Sequence, residues 1–268
     1  MTVDDGLDAG RRRRSHLRLL AAYARLYLLW SFAGRTWTLT LVANRLVPPL
    51  IGLAVWRAAL PGRTDIATYY VALMLVRLLV DSMEKYTFSP RVYEGVLADD
   101  LLQPRPVVLH VLGWNLGSRL YNLVVVTPVV VVAGLAMRTS VDVHLLLLAL
   151  PAVVAAAALR FLFTYSVSMS AFWTQQAGSA VDATKLLIFL LGGEAVPLPL
   201  LPHAVRGWVA VMPLRYMVGF PAEVASGLAT GRHIAAGLAA GVVWLAILLA
   251  LNVAVYRAGI RRFTAVGG

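Results

Sequence analysis

Past its first 35 residues the chain is a series of long apolar runs separated by short polar breaks. Six runs come close to the ~20 residues that a helix needs to cross hydrocarbon: 36–60, 66–84, 107–137, 143–173, 183–201 and 233–256. The third and fourth are longer than one crossing, which predicts tilt or extension into the aqueous phase. Pro48, Pro49, Pro128 and Pro151 fall inside runs, where a kink is tolerated if neighbouring helices satisfy the carbonyls it frees. The pattern predicts an all-α integral membrane protein with six transmembrane helices, its single membrane domain covering 36–268.

Two segments depart from this rhythm. Residues 88–106, FSPRVYEGVLADDLLQPRP, are polar, charged and proline-bounded between two apolar runs. From Arg91 to Leu102 they interleave Val92, Leu97, Leu101 and Leu102 with Glu94, Asp99 and Asp100, a pattern that suits one short surface helix in the membrane plane. Pro90 permits a start, and Pro104 and Pro106 enforce a stop. Such a helix is a docking knob for something in the aqueous phase, with an ordinary solvated loop as the alternative. Residues 194–227 are different: Pro197, Pro199, Pro202, Pro213 and Pro221 cut them into pieces too short to cross, yet Trp208, Val209, Val211, Leu214, Met217 and Phe220 are too apolar for a solvated loop. Short re-entrant helices in the outer leaflet fit, with Trp208 and Tyr216 as interfacial anchors.

The N-terminus adds an amphipathic element. Residues 1–10 are polar and acidic, which predicts a flexible tail. In 11–35, Arg11, Arg14, Arg18 and Arg25 fall on one helical stripe, and Leu17, Leu20, Ala24, Tyr27, Leu28 and Trp30 form apolar surface. The stretch 16–32 therefore reads as an interfacial helix on the cytoplasmic face. Arg18 and Arg25 interrupt the apolar core that a secretory signal would need.

Composition agrees with the patterning: 60% of residues are hydrophobic and 14% charged, beyond the range of an ordinary soluble domain. A net charge of +11 would suggest nucleic acid in a soluble protein, but here the basic residues stand mainly at the ends of apolar runs, where they set topology and meet anionic lipid. With both termini inside, fourteen of the 24 Lys and Arg are cytoplasmic: seven before Thr36, then Lys85, Arg91, Arg105, Lys185, Arg257, Arg261 and Arg262. Arg57, Arg63, Arg138, Arg206, Arg215 and Arg232 lie outside, and Arg45, Arg77, Arg119 and Arg160 within spans. The alanine- and arginine-rich usage suggests a high-GC bacterium and hence its cell membrane.

Charged residues inside spans are costly unless they pair, snorkel or face water. Asp81 follows Arg77 by four residues, so a pair within one helix is available, and with Glu84 these form a structural cluster or, alternatively, a substrate site. Arg45, beside Asn44 and three residues before Pro48, either lines a pathway or snorkels. Arg119 and Arg160 read as headgroup contacts, and Asp182 and Lys185, one turn apart, as closing the second cytoplasmic loop. Gly113 and Gly117, and Gly237 and Gly241, have the spacing for close helix approach within the chain.

An amphipathic leading helix, six spans, a cytoplasmic helix after the second and a proline-broken pair before the sixth together resemble the ABC-2 type permeases, the membrane halves of ATP-binding-cassette exporters. The loop VYEGVLADDLLQPRP is similar to a pattern I-x-x-G-x-L-D-x-L-L-L-R-P in that superfamily, with Gln103 where a basic residue is usual. The stretch GGEAVPLPLLPHAVRGWVAVMPLRYMVGFPAEVASG is similar to its second recurring pattern. The resemblance implies a coupling helix made by Tyr93, Glu94, Gly95, Val96, Leu97, Asp99 and Asp100, with Arg91 and Arg105 able to pair with acids of an ATP-binding subunit. It also implies a second permease, either another copy or a different chain, and an amphipathic, drug-like or lipid-like substrate. The chain has no G-x-x-x-x-G-K-[ST] loop and only two lysines, Lys85 and Lys185, so ATP and Mg belong to the partner and this chain binds no cofactor. An ion- or proton-coupled carrier would want acids buried in several spans, and Asp81 is the only one near a span interior. An intramembrane enzyme would want a convergent ligand set or nucleophile, and the five histidines are scattered.

Overall fold

The structure, a computed structural model, describes residues 3–103, 105–136, 139, 142–174 and 177–263, with the backbone alone for 3–14, 35 and 37. Pro104, Met137, Arg138 and the Arg11 and Arg14 side chains lie outside what is described. Among the described residues every regular element is helical. The leading helix α1 (Val3–Ala33) starts earlier than the expected boundary at Arg11. The first apolar run is α2 (Arg35–Ala59), which carries Pro48 and Pro49; neither can donate to the carbonyl four residues earlier, so those of Asn44 and Arg45 lose their helical partners.

The second run is the centre of the bundle. Its helix α3 (Thr64–Val80) stops where Asp81 turns extended, at φ −66° and ψ 158°. The chain resumes as α4 (Glu84–Thr87), α5 (Ser89–Tyr93) and α6 (Val96–Leu101). The break is held by two asparagines on one face of α7 (Val108–Val125): Asn122 Nδ2 donates to the Leu78 carbonyl (3.2 Å) and the Met83 N–H donates to Asn115 Oδ1 (3.2 Å). Backbone groups orphaned by the break are thereby satisfied inside protein, the condition for irregular backbone at membrane depth. The expected single helix over 91–102 is two helices, because Gly95 adopts φ +74°, a left-handed conformation that glycine enters without steric cost.

The third run is α7 with α8 (Thr127–Ala136), separated at Val126 ahead of Pro128. The fourth is α9 (Val143–Ser168), capped by Asp142, whose side chain accepts from the His144 N–H, and extended by a 3-10 turn, Met169–Phe172. The last is α14 (Arg232–Ile260). Five stretches are long and apolar enough to cross a membrane: Thr38–Ala59, Thr64–Tyr93, Val108–Ala136, Val143–Phe172 and Arg232–Ile260. The run expected at 183–201 is not one helix: α10 (Ala177–Leu191) has 15 residues, about 22 Å at the ideal rise and short of a ~30 Å core. After it come a 3-10 turn (Leu198–Leu200), α11 (His203–Val211), α12 (Pro213–Met217) and α13 (Gly219–Ala225). Pro197 and Pro213 precede or open these short pieces, and Pro221 is buried within α13.

Packing is organised on α3 and α9. The largest apolar cluster joins Tyr69, Tyr70, Leu73 and Val76 of α3 to Ala152, Ala156 and Leu159 of α9 and to Met217, Phe220 and Val224 of α12 and α13. The helix α1 lies along α7, with Tyr27 buried against it. A methyl on Gly117 would come within 2.7 Å of the Ala24 carbonyl and 2.8 Å of Tyr27 Cβ, so this glycine is what lets the two helices touch. Gly237 meets Phe220, whereas nothing lies within 4 Å of the site a Gly241 methyl would occupy. Gly117→Ala is therefore expected to destabilise the protein by ~1–3 kcal/mol, and Gly241→Ala, in open space within α14, not to destabilise it. Thermal denaturation of the two variants in detergent checks this; equal midpoints would mean that α1 is not held by this contact.

Candidate functional site

Three arginines and two carboxylates meet in the interior. Arg45 comes from α2, Arg77 from the last turn of α3, Asp81 from the break, Arg160 from α9 and Glu194 from the turn that follows α10. Asp81 pairs with Arg45 Nη1 and lies 3.3 Å from Arg160 Nη2. Glu194 lies 3.0 Å from Arg77 Nη1 and 3.3 Å from Arg160 Nη1, so Arg160 bridges the two acids. All five are buried, Arg160 to 3% exposure and Glu194 to 2%. Charges so enclosed persist only when each has a partner, because desolvation costs several kcal/mol per ion.

The network differs from the expected pairing in three ways. Arg77 does not reach Asp81 along one helix, because α3 ends at Val80 and the extended Asp81 backbone carries its carboxylate toward α2 and α9. Arg45, read as lining a pathway or snorkelling, is buried, ion-paired with Asp81 and part of a cavity wall. Arg160, expected at the headgroups, is a central member, and Arg119 donates to the Ala157 carbonyl (3.3 Å). Glu194 was not foreseen as a partner. The signal that could have found it is a lone acid in the apolar stretch LLGGEAVPL, as unusual in its surroundings as Asp81.

Glu194 is positioned by a tight turn. Gly193 has φ +96°, and a methyl there would fall 2.9 Å from Gly219 Cα and 2.8 Å from the Tyr69 hydroxyl. Tyr69 donates to the Gly193 carbonyl (2.7 Å), while Tyr70 (3.0 Å) and Trp56 Nε1 (2.9 Å) both donate to that of Ala195. The turn is thus non-helical backbone enclosed by aromatic donors. Next to the network, Glu84 is buried and makes no ion pair among the described residues: Asn115 Nδ2 donates to Oε1 (3.2 Å) and the Thr164 hydroxyl to Oε2 (2.9 Å).

A cavity of about 400 Å³ opens onto the network. It is lined by Asn44, Arg45, Arg77, Asp81, Arg160 and Glu194, by Asp182 and Lys185 of α10, and by Leu41, Pro48, Met83 and Phe189. Asp182 pairs with Lys85 of α4, not with Lys185 one turn on. Lys185 lies 5.7 Å from the centre of the Tyr86 ring.

The α4–α6 knob adjoins this end of the cavity. Phe88, Val92 and Leu97 are buried beneath it in a cluster with Phe161, Tyr165 and Met169. Arg91 forms a two-pronged pair with Asp100, Nε to Oδ2 at 2.5 Å and Nη2 to Oδ1 at 2.6 Å, closing α5 on α6. Arg105 donates to the Tyr23 hydroxyl, and Tyr93 accepts from the Ala177 N–H that opens α10 (2.8 Å). Both arginines expected to await an external acid are therefore engaged within the chain. Glu94 and Asp99 are exposed, as are Leu101 and, at 86%, Leu102. In the short-helix region Trp208 is 75% exposed, as an interfacial anchor would be, whereas Tyr216 is buried, with its hydroxyl on the Ala210 carbonyl (2.9 Å).

The network generates a direct expectation. Asp81→Asn leaves Arg45 without its carboxylate and Arg160 with one of two, and should cost ~3–5 kcal/mol, the usual penalty for breaking a buried pair. Asp65→Asn, which breaks the exposed pair with Arg63, should leave the denaturation midpoint where it was. Similar midpoints for the two variants would remove the network from any structural role.

Comparison with known proteins finds one correspondence. No curated protein and no solved structure matches the chain. The family described as ABC-2 family transporter protein matches residues 62–267, from the loop before α3 past the end of α14, and so takes in Arg77, Asp81, Arg160, Glu194 and the whole α4–α6 knob. With five membrane-crossing stretches and that match, the chain belongs to the ABC-2 permease family, a multi-pass membrane component of an ABC transporter whose ATP-binding partner is a separate part.

Proposed function

We propose that the chain is the permease subunit of an ATP-driven exporter that moves an amphipathic, drug-like or lipid-like molecule out across a bacterial cell membrane. In this reading both termini are cytoplasmic, α1 lies in the interface, and α10 with the short helices after it completes a sixth crossing as a re-entrant element. A second permease, another copy or a different chain, supplies the other wall of the pathway. ATP and Mg sit on the ATP-binding subunit, and this chain catalyses nothing.

The observation that carries the reading is the form of the α4–α6 knob. Its base is fixed by Leu97, Phe88 and Val92 and by the Arg91–Asp100 pair, while Glu94, Asp99, Leu101 and Leu102 point outward. A small rigid projection with acids and leucines on its outer side suits a groove on a soluble partner. It continues through four residues of α4 into the break at Asp81, so a push on the knob is delivered to the charged cavity. A proton-coupled carrier is the second reading, favoured by Glu84, a buried carboxyl with no ion pair among the described residues.

The test is ATP hydrolysis by the reconstituted pair of permease and ATP-binding subunit. Truncating two exposed acids at such an interface costs on the order of 1–2 kcal/mol, so the Glu94→Ala, Asp99→Ala double variant should lower coupled turnover or assembly roughly tenfold while its melting midpoint stays put. Wild-type coupling in that variant would sink the coupling assignment. Transport that survives without ATP and collapses with the proton gradient would favour the carrier.

A further inference from the structure

The cavity holds more positive charge than its acids balance. Four cations line it, Arg45, Arg77, Arg160 and Lys185, against three carboxylates, Asp81, Asp182 and Glu194. Asp182 is an exposed residue paired with Lys85, outside the lining. Asp81 and Glu194 serve all three arginines between them, and among the described residues Lys185 makes no ion pair. Four cations against two available acids leave two positive charges uncompensated.

Hydrogen bonding gives the same imbalance. Three guanidinium groups present about fifteen N–H donors, and two carboxylates about eight acceptor sites. Arg45 Nε, Arg77 Nη1 and Arg160 Nε are buried with no hydrogen-bond acceptor among the described residues, although Arg77 Nη1 keeps its ion pair with Glu194. Buried donors left without acceptors are costly, and the surplus of cations over acids at the cavity wall is what an incoming anion would balance. The lining also includes Leu41, Pro48, Met83 and Phe189, which give the cavity apolar surface beside its charges. At about 400 Å³ the space falls within the usual range of ligand sites, ~300–1,000 Å³.

We propose that this cavity binds a phosphate-bearing anion, the headgroup of an anionic amphiphile, with the phosphate against Arg45, Arg77, Arg160 and Lys185 and the first carbons of its tail against Leu41, Pro48, Met83 and Phe189. Lys185 is the adjustable contact, resting against the Tyr86 ring with no ion pair among the described residues, whereas the arginines keep their carboxylates. That the bound molecule is the transported one rests on the permease reading above; the binding itself does not.

The experiment uses the full chain in neutral detergent, without an ATP-binding subunit. Its thermal midpoint is followed during titration with dioctanoyl phosphatidylglycerol, dioctanoyl phosphatidylcholine and inorganic phosphate. Saturable stabilisation by phosphatidylglycerol is expected, with affinity at least tenfold above that for the zwitterionic lipid. Lys185→Gln should weaken it about tenfold, the equivalent of one charge-assisted hydrogen bond. Lys185→Arg should restore it, and Arg57→Gln, on the exposed end of α2, should change nothing. Stabilisation by inorganic phosphate as tight as by phosphatidylglycerol, with the same dependence on Lys185, would keep the anion site and assign it to a free anion. Equal response to both lipids, or unchanged phosphatidylglycerol affinity in both Lys185→Gln and Arg77→Gln, overturns the proposal. Because the titration contains no ATPase, that failure would leave the permease reading to stand or fall on coupled hydrolysis.

Discussion

A guanidinium cannot be left alone in a hydrocarbon layer, and this chain places three of them in its interior. Arg45, Arg77 and Arg160 lie on three different helices, so the acids that neutralise them must be brought to a common point. Neither acid can get there on regular helix. Asp81 reaches it because α3 stops and one residue turns extended; Glu194 reaches it because α10 stops and the chain turns back into the bundle. Both interruptions expose backbone groups that lipid cannot satisfy, and both are answered by side chains of neighbouring helices: Asn115 and Asn122 at the first, Trp56, Tyr69 and Tyr70 at the second.

These two sets of donors make the bundle hard to take apart by steps. Tyr69 and Tyr70 stand on α3, so the helix that ends at Asp81 also carries the hydroxyls that fix the turn presenting Glu194. The same turn is packed against Gly219, where α13 begins, and α13 lies on both α3 and α9. Removing one acid therefore frees a charge on a helix whose neighbours hold the other acid. Coupling of this kind is the physical origin of non-additive mutational effects, and it concentrates on the face where the cavity opens.

Much of the architecture was legible in runs of apolar residues, because burying ~20 residues in hydrocarbon leaves a length signal that no pairing detail can erase. Five of the six expected runs appear as membrane-crossing stretches near their expected limits. The remaining one, at 183–201, differs in form because Gly192 and Gly193 look like helix-compatible small residues in an apolar run, while Gly193 makes a turn with φ +96°. Side-chain pairing was the least legible part. A spacing of four residues suggests a pair only while the helix continues, and for Arg77 and Asp81 it does not. The real partners are separated by 36, 79, 117 and 34 residues, distances at which periodicity carries no information. Arg91 and Asp100 were both recognised as members of the knob, but their mutual pairing depends on the sharp turn at Gly95, which a single-helix reading leaves out.

The break at Asp81 also decides what kind of motion the bundle can support. A continuous helix from Thr64 to Tyr93 would move as one rod, and force on its aqueous end would translate the whole element. With the rod divided, α4 to α6 form a separate lever anchored to α10 at two points, Lys85 to Asp182 and Tyr93 to the Ala177 N–H, and to α9 through Phe88 on Tyr165. Only two residues, Ser82 and Met83, connect that lever to Asp81. Ser82 and Glu84 are tied to Thr164 on α9, one helical turn from Arg160. A shift of the lever against α9 thus acts on the pair of residues, Asp81 and Arg160, that balance the cavity's charge, and it does so over a few ångströms of chain with no need for the rest of α3 to move.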